Sequence, residues 1–141
     1  MEKEFIPYPI ALRMKQLGFD NVPCLAVWYN VPELDDYEFF DFSNHFSHQH
    51  YETQYYANKG FKDAVLAPTW YSAFAWFRER YNLHSRVNHQ NGFYWCEIES
   101  YNYPRVTAWN SSQDSREEYN TYKEAELACL EKLIEIVEQK K

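Results

Sequence analysis

Three histidines stand close together in the segment Asn44-His45-Phe46-Ser47-His48-Gln49-His50-Tyr51, and imidazoles at such spacing are the usual ligands of zinc or nickel. A metal centre also needs fixed geometry and a supporting outer shell. No regular helix or strand puts His45, His48 and His50 on one side, so the sequence predicts a solvated polar loop and no metal. Acidic residues gather just before it at Glu33, Asp35, Asp36, Glu38 and Asp41. A calcium loop would add a central glycine and a bidentate glutamate at its twelfth position. Neither is present, and the run reads as an acidic surface.

Nucleophilic chemistry has few better candidates. Cys24, Cys96 and Cys129 are odd in number, far apart and outside any Cys-x-x-Cys pair, which argues against a disulfide framework or a zinc ribbon. All three are expected as reduced thiols. A base would have to lie beside one of them, and the nearest imidazoles are His84 and His89 beside Cys96. Cofactor loops fail on composition. Phosphate-cradling fingerprints need several clustered glycines, whereas Gly18, Gly60 and Gly92 stand alone. No cofactor is expected, and a hydrolytic enzyme is the most distant of the readings kept.

Charge and aromaticity are the strongest compositional facts: aromatic residues make up 20% of the 141-residue chain, whose formal net charge is -7. Such a surface offers rings for stacking without the positive field that polyanions require. The start, Met1-Glu2-Lys3-Glu4-Phe5, carries no basic and then apolar leader, and no apolar run reaches bilayer-spanning length. A cytoplasmic location follows as an expectation, with no membrane partner. The length fits one compact domain over residues 1–141.

The elements that would position these groups are legible by period. Ile10, Ala11, Met14 and Leu17 form one stripe ending at Gly18. Trp70, Ala73, Phe74, Phe77 and Tyr81 recur at three- and four-residue steps after Pro68-Thr69. Thr121 and Glu124 form a capping pair ahead of a third helix, whose stripe is Ala125, Ala128, Cys129, Leu133, Ile136 and Val137, widened by Leu127, Leu130 and Ile134. Aligning Thr69 with Thr121 gives a faint repeat centred on 69–81 and 121–133. Weaker strand signals lie at Cys24–Tyr29, Tyr37–Phe42, Tyr51–Ala57 and Ala64–Ala67.

The clearest strand signal is HSRVNHQNGFYWCEIE, where Asn91-Gly92 supplies the positive φ angles of a two-residue hairpin turn. Pairing outward sets Gln90 opposite Phe93, His89 opposite Tyr94, Val87 opposite Cys96 and Ser85 opposite Ile98. One face then collects Val87, Tyr94, Cys96 and Ile98 as core. The other carries Phe93, Trp95 and an Arg86–Glu97 pair, with a following strand from Tyr103 to Trp109 beside them. The fold class predicted is α+β, an antiparallel sheet with helices on one face, in the order helix, strands, helix, hairpin and strand, helix. Residues 69–137 have the element order of a double-stranded-RNA-binding domain, but Lys123-Glu124-Ala125-Glu126 replaces the basic cluster such domains place at the last helix. No long nucleic acid is expected as a partner.

Four blocks, PYPIALRMKQLGF at 7–19, PCLAVWY at 23–29, APTWYSAFAWFRERYNL at 67–83 and TYKEAELACLEKLIEIV at 121–137, together resemble a family of small uncharacterised proteins encoded by Bacteroidetes genomes and their phages or mobile elements. The resemblance implies a phage or mobile-element accessory gene. It transfers no activity and no site residue, because the matching motifs are caps, helix faces and a strand.

The functional expectation is a non-catalytic binding protein that meets a host protein through Phe93, Trp95, Tyr103, Trp109 and Arg86. Large aromatics on a solvent-facing sheet mark a partner, a second layer or a ligand, and a homodimer would also cover them. The alternative is a small nucleotide-like ligand stacked on those rings, its phosphate met by Arg78, Arg80, Arg86 or Arg105.

Overall fold

The computed structural model describes residues 2–19, 24, 26–31, 36–41, 62–100 and 117–140. Its fold class is α+β, as the periodicities predict: helices α1 (Tyr8–Gln16), α2 (Trp70–Tyr81) and α3 (Tyr122–Lys140), and strands β1 (Ala26–Val31), β2 (Asp36–Asp41), β3 (Lys62–Leu66), β4 (His84–Gln90) and β5 (Phe93–Glu99). The strands are divided between two antiparallel sheets, β2-β1-β3 and β4-β5. The chain divides into two compact units, Met1–Ser72 and Ala73–Lys141, the boundary falling within α2. The expected strands at 51–57 and 103–109 lie outside the described residues, as do His45, His48, His50, Glu33 and Asp35.

In the first unit β1 is the central strand, with Trp28 opposite Phe39 of β2 and Val65 of β3. Val27 and Trp28 point to opposite faces, and both are buried. The Trp28 indole Nε1 donates to the Ile6 carbonyl at 2.9 Å, which satisfies the one polar atom of a ring that packs 5.2 Å from Phe39. Tyr8 stacks on Tyr37 with ring centroids 3.7 Å apart. Gly18 stops α1 as predicted: at φ 104° it lets Phe19 N–H reach the Met14 carbonyl at 2.9 Å and Gly18 N–H the Lys15 carbonyl at 3.0 Å. This is the paired C-terminal bonding that favours glycine.

Both threonine caps form. Thr69 Oγ1 accepts the Ser72 amide at 3.1 Å, and Thr121 Oγ1 accepts the Glu124 amide at 3.1 Å. Each therefore satisfies the third amide of its helix, one of the donors that have no intrahelical partner. Asn82 takes the left-handed position after α2 at φ 56°, a site where asparagine is the usual substitute for glycine.

The second unit is built on the β4-β5 hairpin, in the register read from Asn91-Gly92: Gln90 opposite Phe93, His89 opposite Tyr94, Val87 opposite Cys96 and Ser85 opposite Ile98. Cys96 and Ile98 are buried beneath α3, whose Ala125, Cys129, Leu130, Leu133, Ile134, Ile136 and Val137 are also buried. Val87, Ala128 and Leu127 are half-buried.

One expectation is overturned. Cys96 and Cys129 are joined by a disulfide, with their Cα atoms 5.5 Å apart. The two thiols meet because one is on the core face of β5 and the other on the core stripe of α3, and α3 lies across that face. Distance along the chain, which made them look unrelated, does not bear on this. Cys24 is the free cysteine; burial pushes its thiol up to about 12. The expectation of three reduced thiols therefore holds for Cys24 alone. No helix among the described residues is long and apolar enough to cross a membrane.

Candidate functional site

The aromatic residues singled out on the reverse face of the hairpin are not alike. Phe93 is 43% exposed, whereas Trp95, expected to face solvent, is only 8% exposed. Its Nε1 donates to Glu97 Oε1 at 3.4 Å, and Asn88 stands opposite it on β4. An indole removes a large apolar area from water when covered, so Trp95 is packed while Phe93 and Arg86 on the same side of the hairpin are exposed. Tyr101, Tyr103, Arg105 and Trp109 lie outside the described residues.

Arg86 is not a free cation. Its Nε and Nη2 both donate to Glu97 Oε2, at 2.8 and 2.6 Å. Burial pushes the Glu97 carboxyl up, but the hydrogen bonds from Arg86 and Trp95 outweigh it, leaving the group below the ordinary carboxylate value. Arg80 lies over the Tyr81 ring at 5.8 Å. His84 Nε2 is 2.8 Å from Asn82 Oδ1. Cys96, held in the disulfide, offers no thiolate for a nucleophilic step.

The exposed chemistry gathers at the other end of the helix-covered face. Tyr94 N–H donates to the Tyr119 carbonyl at 2.9 Å, and Tyr119 N–H to the Tyr94 carbonyl at 2.7 Å. Tyr94 therefore spends its backbone bonds on Tyr119 and is a non-hydrogen-bonded partner of His89, the kind of pair whose side chains stand closest. The His89 and Tyr94 rings stack accordingly, with centroids 4.5 Å apart and planes 24° from parallel. Directly paired antiparallel residues share a face. His89, Tyr94 and Tyr119 thus form a row across β4, β5 and the segment leading into α3.

The first residue of α3 completes the arrangement. Tyr122 stands edge-on to Tyr94, with ring centroids 6.1 Å apart and planes at 89°. Two turns later in α3, Cys129 is bonded to Cys96, two residues beyond Tyr94 in β5. Those steps advance about 10 Å along the helix and about 7 Å along the strand in the same sense, so the disulfide and the Tyr94–Tyr122 contact hold the two elements together at successive points. Tyr122 is 49% exposed, His89 is exposed and Tyr94 and Tyr119 are half-buried. The result is a corner of two perpendicular rings in contact, extended by an imidazole and a third phenol, with Tyr122 and His89 its exposed members.

Carboxylates are frequent in the sequence around this corner. Residues 117–131 hold Glu117, Glu118, Glu124, Glu126 and Glu131 against the single Lys123, whose ammonium is already bonded to Glu126 at 3.0 Å. Tyr119 donates its hydroxyl to Glu117 Oε2 at 2.8 Å. Burial, that hydrogen bond and the negative charges of Glu117 and Glu131 push its phenol up to about 12. Burial and then Glu126 also raise Tyr122.

The sequence reading missed this corner because it followed the solvent-facing side of the hairpin. Tyr94 falls on the predicted core face, and its half-burial depends on where α3 begins relative to the hairpin tip. The available signal was the aromatic pair Tyr119 and Tyr122 on either side of the Thr121 cap. Comparison with protein-family models, with curated proteins and with solved structures finds no match to the chain in any of the three.

Proposed function

We propose that the chain is a non-catalytic binding protein whose site is the His89–Tyr94–Tyr119–Tyr122 corner and whose partner is another protein. The observation that carries this reading is the right-angled Tyr94–Tyr122 pair at a helix start, with Tyr122 49% exposed and Glu117 bonded to the neighbouring Tyr119. Aromatic anchors with a polar, charged rim have the chemistry of protein interfaces. In the phage or mobile-element setting that the four sequence blocks imply, the partner is a host protein. The nucleotide-like alternative is less favoured, because Arg86 is already committed to Glu97 and the carboxylates around the corner repel phosphate.

Capture of a partner from host lysate by the intact chain, compared across two variants, tests the proposal. Tyr122→Ala is expected to abolish capture and Phe93→Ala to preserve it. The opposite result would move the site to the reverse face of the hairpin. Retention by both variants would remove the proposal.

A further inference from the structure

Building on that binding reading, we infer that the Tyr94–Tyr122 corner receives an arginine side chain presented by a basic segment of the partner. Tyr94 is already stacked on His89 and in contact with Tyr122, so the ring that offers its surface is the exposed Tyr122, and a guanidinium stacks on such a face while keeping its in-plane donors free. Those donors would find a carboxylate in Glu117, which is exposed beside Tyr119. Glu126 is turned inward, only 7% exposed, and is engaged by Lys123 and Tyr122. Glu117 already orients the Tyr119 hydroxyl, so its remaining lone pairs lie close to the row of rings.

Charge decides between ligand classes. An anionic group would meet the exposed Glu117, Glu118 and Glu124, while the nearby Lys123 is itself ion-paired. A purely apolar segment would have to desolvate carboxylates without pairing them, which costs more than ring contact returns. A cation meets complementary potential and the negative ring faces together. Arginine is preferred to lysine because its guanidinium is more weakly hydrated and gives up less on stacking.

The test uses the intact chain and a short synthetic peptide carrying arginines and no acidic residue, with a second peptide in which citrulline, the neutral isostere, replaces each arginine. Binding is followed by calorimetry and by the NMR shifts of the tyrosine rings. The arginine peptide is expected to bind at least about tenfold more tightly than the citrulline one. Tyr122→Ala should weaken it about fivefold or more and Tyr122→Phe, which keeps the ring, should largely retain it. Circular dichroism checks that each variant is folded. Equal binding of the two peptides overturns the inference. So does an affinity unchanged by Tyr122→Ala, which would mean attraction to the acidic surface at large. Loss of partner capture in Tyr122→Ala together with indifference to citrulline would leave the binding reading standing and remove only the arginine.

Discussion

Phe93 and Trp95 stand two residues apart on one face of one strand, yet their exposures are 43% and 8%. Strand alternation assigns them the same side and says nothing of what lies above each. The difference has an energetic consequence. Trp95→Ala removes a covered indole and should cost about 3–5 kcal/mol, measured as the shift in denaturant midpoint. Phe93→Ala should stay within about 0.5 kcal/mol, as surface changes do. A near-neutral Trp95→Ala would show that its ring is not packed, and would restore it as a surface anchor. Tyr122, first in its helix and half in water, belongs with Phe93 in this respect, which lets a variant there probe binding without confounding it with unfolding.

At the scale of elements, legibility follows the range of the interaction that fixes each one. The hairpin register was readable because Asn91 and Gly92 adopt positive φ (55° and 82°) and set every pair outward from the turn. The helix starts were readable because Thr69 and Thr121 act three residues away. What α3 covers was only half legible. Its stripe predicted burial, but not that Cys129 would meet Cys96 across 33 residues of sequence. Nor did it show that the helix begins beside Tyr94, with Tyr122 edge-on to it.

The disulfide gives the clearest element-scale prediction. Closing a loop of that length restricts the unfolded chain by about 4 kcal/mol on the entropic account. A reductant should therefore lower the denaturant midpoint of the natural chain and leave that of the Cys96→Ala/Cys129→Ala double variant unmoved. Labelling of thiols in denaturant without reductant should mark Cys24 alone. Modification of all the cysteines would show that Cys96 and Cys129 are unbonded.

At the scale of the molecule, net charge sets which large partners are compatible. The second unit contributes the helix, hairpin and helix of a double-stranded-RNA-binding order, and order alone confers no function. Such domains hold the backbone with cations at the start of the last helix, and each phosphate contact contributes to affinity and to its salt dependence. Here the start of α3 carries one lysine, bonded to Glu126, with Glu117, Glu118 and Glu124 exposed around it. The whole chain adds a formal charge of -7. Duplex RNA should consequently show no retardation with the protein in a gel-shift assay at low salt, the condition that most favours phosphate contacts. Replacing Glu117, Glu118 and Glu124 by lysine should create weak, salt-sensitive retardation, because the helix start would then present cations where the natural chain presents carboxylates. Retardation by the natural chain at low salt would contradict the charge argument and bring nucleic acid back as a partner.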